Sequence, residues 1–129
     1  MVASFLTDDM IRAGGKLLGA LREQGANPDA AFWLYEAEPA EWRLVIADAD
    51  LVAQGPREGY RRIQNVLFKL ADQAAPLQLQ DIKLRTPRTR LVKALRRAAK
   101  DWPGSEGVRL RNNLTDGTLI EDAYVYRAS

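Results

Sequence analysis

Three segments of the chain repeat apolar residues every three or four positions, which is the spacing of an amphipathic α-helix. Each segment opens with a cap residue or a Pro in the first turn, and each ends at a Gly or a Pro. In the first segment, the adjacent Gly14 and Gly15 indicate either close packing against a neighbour or a locally weak helix. The three predicted helices cover residues 7–25, 55–76 and 86–104.

Five shorter segments show the apolar runs or the alternation of β-strands. Residues 31–35 are continuously apolar, which predicts a strand covered on both faces. Asp116-Gly117 favours a tight turn between the last two strands. The predicted strands are 31–35, 42–46, 77–84, 108–112 and 119–126. The resulting order α-β-β-α-β-α-β-β predicts a single α+β domain over residues 1–129, with three helices packed on a mainly antiparallel sheet of about five strands.

Cys and His are both absent from the 129 residues. Their absence excludes disulfides, thiolate nucleophiles, Ser-His-Asp triads and metal sites built on Cys or His. A magnesium ion held by carboxylates is the one metal chemistry left open. Since no stretch approaches the ~20 apolar residues that span a bilayer, we expect a cytoplasmic protein without a membrane partner. We also expect no cofactor, and a binding protein rather than an enzyme.

Charge is segregated along the chain. Eight of the 19 basic residues lie within residues 83–100, which contain no acid, and the other 11 are outnumbered by 17 acidic residues. In the third predicted helix, four basic residues follow the i, i+3, i+7, i+10 spacing from Arg90 and share one face. The opposite, core-facing side is predicted to carry Leu91, Leu95, Ala98 and Trp102. The candidate anion-binding residues are Arg88, Arg90, Lys93, Arg96, Arg97 and Lys100.

This basic helix supports two hypotheses of different classes. In the first, it faces an anionic partner, either a nucleic acid whose phosphates displace counterions from it or an acidic protein. In the second, the protein is a structural or oligomerisation module, and the same charges pair with acids of the same chain or of a second copy in a homodimer. No aromatic residue interleaves with the basic ones, so the pattern does not support a base-stacking platform.

A third hypothesis comes from a short motif. Pro28-Asp29 and the later Asp81-Ile82-Lys83 spell the PD…DxK pattern of restriction-type nucleases. In such a site Asp29 and Asp81 would hold magnesium, and Lys83 would stabilise charge on the scissile phosphate. The placement is poor, because that family has both motifs on neighbouring strands, whereas here a hairpin and a helix separate them.

Two acidic residues, Glu121 and Asp122, lie inside the last predicted strand, where successive side chains point to opposite faces. We expect a cross-strand ion pair with Arg109 or Arg111. The alternative is a buried carboxylate with a perturbed pKa, which would be a candidate functional group.

Four strings of the sequence together resemble a family of small bacterial proteins of unknown function. They are FWLY at 32–35, EWRLVIA at 41–47, GPRE at 55–58 followed by YRRIQ at 60–64, and IEDAYVYR at 120–127. The resemblance covers most of the chain and implies a bacterial, cytosolic source. It brings no catalytic residues with it.

Overall fold

The computed structural model describes residues 5–100 and 107–126, which form an α+β fold. The helices are α1 (Asp8–Glu23), α2 (Ala49–Ala53), α3 (Pro56–Leu70) and α4 (Arg90–Lys100). The strands are β1 (Ala30–Glu36), β2 (Glu41–Ala47), β3 (Ile82–Arg85), β4 (Val108–Thr115) and β5 (Thr118–Val125). The predicted fold class is confirmed, and α2 adds one short helix to the three predicted. Among these helices, none is long and apolar enough to cross a membrane.

All five strands belong to one sheet in the order β3-β2-β1-β5-β4. The central strand β1 is antiparallel to both β2 and β5, and β4 and β5 form an antiparallel hairpin. β3 runs parallel to β2, because α2 and α3 carry the chain back along the sheet between them. The sheet is therefore mainly antiparallel, as predicted, with one parallel pair at its edge.

Helices cover both faces of the sheet. α1 and α3 pack on one face, and α4 packs on the other. Along β1 the side chains alternate between the two cores, so that Trp33 packs under α1 and α3 while Phe32 packs under α4, both almost fully buried. Burying a side chain of this size contributes about 2–3 kcal/mol relative to leaving it exposed. The prediction that residues 31–35 form a strand covered on both faces is confirmed.

A hydroxyl group links α1 to the chain after β5. The Trp33 Nε1–H donates to the Tyr126 hydroxyl oxygen at 2.9 Å, and the Tyr126 hydroxyl donates to the Ile11 carbonyl at 2.6 Å. Burial raises the pKa of Tyr126, so the hydroxyl keeps the proton that it donates. A Cβ atom on Gly14 would lie 3.0 Å from Tyr126 Cζ and 3.1 Å from Trp33 Nε1. At Gly14 the structure therefore agrees with the first of the two interpretations of the Gly14-Gly15 pair, which is close packing against a neighbour.

The predicted start of the third helix is wrong by about one turn. The Thr86 hydroxyl accepts a hydrogen bond from the Arg88 amide within a turn, and it is the Thr89 hydroxyl that accepts from the Val92 amide. The helix begins after Thr89 because the Thr89 hydroxyl accepts a hydrogen bond from the Val92 amide, which has no backbone partner in the first turn of the helix. The predicted core residue Trp102 and the predicted stop at 103–104 lie outside the described residues.

Two other boundaries also differ from the prediction. α3 ends at Leu70, and a 3₁₀ helix, Ala71–Ala74, follows it before Pro76. The predicted strand 77–84 forms a strand only from Ile82, because residues Leu79–Asp81 make a 3₁₀ turn. The Asp81 carboxylate accepts from the Gln78 amide at 2.9 Å, and this capping interaction holds the turn.

Candidate anion-binding surface

One face of α4 is anchored in the core. Its buried residues include Val92, Leu95 and Ala99, which follow the i, i+3, i+7 spacing and pack on β4 and β5. The predicted anchors Leu91 and Ala98 are half-buried and flank this line, so the predicted stripe is correct at Leu95 and otherwise rotated by one position. The rotation follows from where the sheet lies under the helix.

The predicted basic row is exposed along its whole length. Arg90, Lys93, Arg97 and Lys100 are all exposed, and the fixed backbone of α4 spaces them over ten residues, about 15 Å. The two flanking residues differ from each other. Arg88 is exposed in the turn before α4, and Arg96 is half-buried. The charges are thus carried by a packed helix and not by a flexible tail.

One member of this row has an acidic partner. Arg97 Nη1 lies 3.3 Å from Asp116 Oδ2 in the β4–β5 turn, and the two side chains are 72% and 52% exposed. An ion pair this exposed contributes at most about 1 kcal/mol. Within residues 5–100 and 107–126, Arg90, Lys93 and Lys100 make no ion pair. The acids of the described chain therefore leave most of the row uncovered.

Two further basic residues lie on the same side of the sheet. Ile82 and Leu84 of β3 point into the core under α1 and α3, so the alternate residues Lys83 and Arg85 point to the α4 side. Lys83 is half-buried and Arg85 is exposed. The sequence-based prediction did not assign them to this surface. Strand alternation within residues 82–85 puts both on one face of β3, but the side of the sheet on which that face lies depends on how β3 pairs with β2.

A groove separates β3 from the first turn of α4. Its volume is about 350 Å³. Leu34 and Val45 form an apolar floor, and Leu91 contributes from α4. Lys83 and Arg85 line the β3 side of the groove. We call the groove together with the exposed row of α4 the basic surface of the protein.

No family model, curated protein or solved structure matches the chain. The resemblance to a family of small bacterial proteins therefore stays a prediction.

The proposed nuclease residues do not come together. By the strand register, Asp29 lies level with Asp48 and Asp81 lies level with Arg43. Five residues of β2 separate these levels, about 16 Å along the sheet, whereas two carboxylates that share a magnesium ion bind it at ~2.1 Å. Lys83 points to the α4 side of the sheet, whereas its neighbours Ile82 and Leu84 point into the core under α1 and α3.

Both carboxylates have local structural partners instead. Asp29 Oδ2 accepts from the Ala49 amide at 3.2 Å, at the start of α2. Burial raises the pKa of Asp81, although the hydrogen bond from the Gln78 amide and the charge of Arg43 oppose the shift. Among the residues that the structure describes, no group of three or more acidic side chains could hold a metal ion. The short motif thus corresponds to two separate turns.

The acidic pair in β5 is explained by cross-strand pairing at Asp122. Its carboxylate accepts two hydrogen bonds from Arg109, at 2.6 and 2.8 Å, and lies 3.8 Å from Arg111. Donating these hydrogen bonds to Asp122 raises the pKa of Arg109, whose guanidinium carbon lies 5.3 Å from the centre of the Trp42 ring. Glu121 is exposed. The expected ion pair is confirmed.

Proposed function

We propose that this protein is a non-enzymatic domain that binds nucleic acid through the phosphate backbone. The observation that carries the proposal is the row Arg90, Lys93 and Lys100, which is exposed and has no acidic partner within the described residues. A rigid row of cations gains the entropy of released counterions when it contacts phosphates.

The dimensions of the row support a phosphate backbone as its partner. Each nucleic acid strand advances about 3.4 Å per phosphate along the duplex axis, so the ~15 Å row extends over about four phosphates. Lys83 and Arg85 add two more cations beside the start of α4. Among the described acids, Asp116 pairs with Arg97, and Glu36 lines the groove.

Fluorescence anisotropy with labelled single-stranded and duplex DNA at 50 and 200 mM salt tests the proposal. For four phosphate contacts to a single strand, a plot of the logarithm of the association constant against the logarithm of the salt concentration has a slope of about −2.8. The affinity should therefore fall about 50-fold between 50 and 200 mM salt. Absence of binding to both probes at the lower salt concentration would refute the proposal.

A matched pair of variants tests which face binds. Replacing Arg90, Lys93 and Lys100 by Gln should reduce the slope by about two units. The control replaces Lys16, Arg57 and Lys69 by Gln, which removes the same charge from exposed sites on α1 and α3, across the sheet. The control should keep the affinity within about threefold, because surface charges beyond a Debye length are screened. If both triple variants lose DNA affinity equally, the protein attracts DNA by its overall charge and not through the face of α4.

The oligomerisation hypothesis makes a different prediction for the same row. If the charges pair across a homodimer, Arg90→Glu with Arg97→Glu should halve the solution mass measured by light scattering. An acidic protein as the partner would leave the mass unchanged and would give no binding to either DNA probe.

A further inference from the structure

The groove beside α4 has different chemistry at its two ends. Arg85 lies level with Ala47 of β2, Lys83 lies two residues further along, and Glu36 lies level with Glu41 at the opposite end. The whole groove thus extends about 20 Å along β2, with about 13 Å between the levels of Lys83 and Glu36. It offers cations at one end, an apolar middle and a carboxylate at the other end.

The charged groups at both ends are available to a ligand. Glu36 and Lys83 are half-buried, and neither makes an ion pair with another residue in the described ranges. Arg85 donates one hydrogen bond to the neighbouring Leu84 carbonyl at 3.0 Å, which leaves most of its donors unused. The floor between the ends is formed by Leu34 and Val45.

We propose that the groove receives one unpaired nucleotide of a single strand, with its phosphate at Lys83 and Arg85, its base on Leu34 and Val45, and its exocyclic amino group donating to Glu36. The inference rests on the proposed function and narrows it to single-stranded nucleic acid. The volume of about 350 Å³ lies near the lower end of ~300–1,000 Å³ for small-ligand pockets, as expected for a single nucleotide.

The arrangement of charges favours a nucleotide over other amphipathic anions. A fatty-acid tail with its carboxylate at Lys83 would have to lie against the Glu36 carboxylate, which needs a hydrogen-bond donor. A base with an amino group supplies both the flat apolar body and the donor. A base within a duplex cannot lie on Leu34 and Val45, because both of its faces are stacked against neighbouring bases. Since none of the described residues that line the groove is aromatic, the hydrogen bond to Glu36 must supply the selectivity.

Oligo-dC and oligo-dT separate this contact from the backbone contacts. The two bases have similar size, but cytosine carries an amino donor at the position where thymine carries a carbonyl acceptor. Wild-type protein should bind a 15-nucleotide oligo-dC about fivefold more tightly than oligo-dT at pH 8 and 50 mM salt, as expected for about one hydrogen bond. Glu36→Gln should remove the preference, because its amide can donate to thymine as well as accept from cytosine. Glu38→Gln, at an exposed position, should keep it.

The outcomes distinguish the two proposals. Equal binding of both oligonucleotides, unaffected by Glu36→Gln, would overturn the groove assignment and leave the backbone proposal standing. Tighter binding of duplex DNA than of either single strand would do the same. No binding to any probe at 50 mM salt would remove both proposals. Thermal unfolding of each variant verifies that the fold is intact.

Discussion

The contact between Gly14 and Tyr126 predicts that two chemically identical substitutions in α1 act in opposite directions. Apart from its chain neighbours and the backbone of its own helix, Gly19 has no atom within 4 Å of a Cβ built there, whereas a Cβ on Gly14 would meet Tyr126 and Trp33. Ala is favoured over Gly by up to ~1 kcal/mol in a helix interior. Gly19→Ala should therefore stabilise the protein, and Gly14→Ala should destabilise it.

The cost at Gly14 can be worked out from the hydrogen bonds at risk. The Tyr126 hydroxyl accepts from Trp33 and donates to Ile11, and displacing it leaves the Trp33 Nε1–H buried without a partner, since that side chain is 1% exposed. An unsatisfied buried donor costs about 1–3 kcal/mol, and overpacking costs a similar amount. After the gain in helix propensity, the net loss should be about 1–5 kcal/mol, which corresponds to a Tm lower by on the order of 10 °C near the middle of that range.

Urea denaturation of both variants measures the difference. Tyr126→Phe provides a third variant, because it removes the hydroxyl that the new Cβ would displace. In that background Gly14→Ala should cost at least about 1 kcal/mol less than in the wild type, a coupling that a double-mutant cycle detects. If Gly14→Ala stabilises the protein as Gly19→Ala does, the described packing of α1 on Tyr126 is wrong.

Two further predictions concern caps and buried charge. Thr89→Ala should cost about 1 kcal/mol of unfolding free energy because it removes the N-cap of α4, whereas Thr86→Ala, outside the helix, should cost less; equal effects would contradict the assigned start of α4. Burial raises the pKa of Asp81 above its ordinary 3.8, so the Asp81 carboxylate binds a proton more readily in the native protein than in the unfolded chain. Ionisation of Asp81 therefore lowers the free energy of unfolding as the pH rises from the unfolded-state pKa of 3.8 through the higher native-state pKa. Asp81→Asn should therefore be more stable than wild type at pH 7 by urea denaturation, with the difference shrinking toward pH 4; a difference independent of pH would refute this account.

Local patterns predicted most elements, because helix and strand periodicity is encoded by neighbouring residues. The apolar run at 31–35 and the Asp116-Gly117 turn needed no knowledge of the fold. The partner of β3 could not be predicted in this way, because parallel pairing with β2 depends on how α2 and α3 cross the sheet.

The basic surface was only half predicted, for a related reason. The spacing from Arg90 to Lys100 defined one helix face, and that face is exposed. The line of apolar residues in α4 that lies against the sheet depends on tertiary packing. Val92 and Ala99 are therefore buried at the positions where Leu91 and Ala98 were predicted. Lys83, Arg85 and Glu36 come together only through strand register, which no local pattern specifies.

The position of β1 in the sheet has a consequence for how the chain acquires its structure. One edge of β1 is paired by β2, which follows it within a few residues, but the other edge is paired by residues 123–125, some 90 residues later. A nascent chain therefore exposes one edge of β1, an apolar strand, until residues 123–125 have been synthesised. Such long-range pairing slows folding, and the open edge is a template for aggregation. Chains truncated before residue 123 should therefore be prone to chaperone capture.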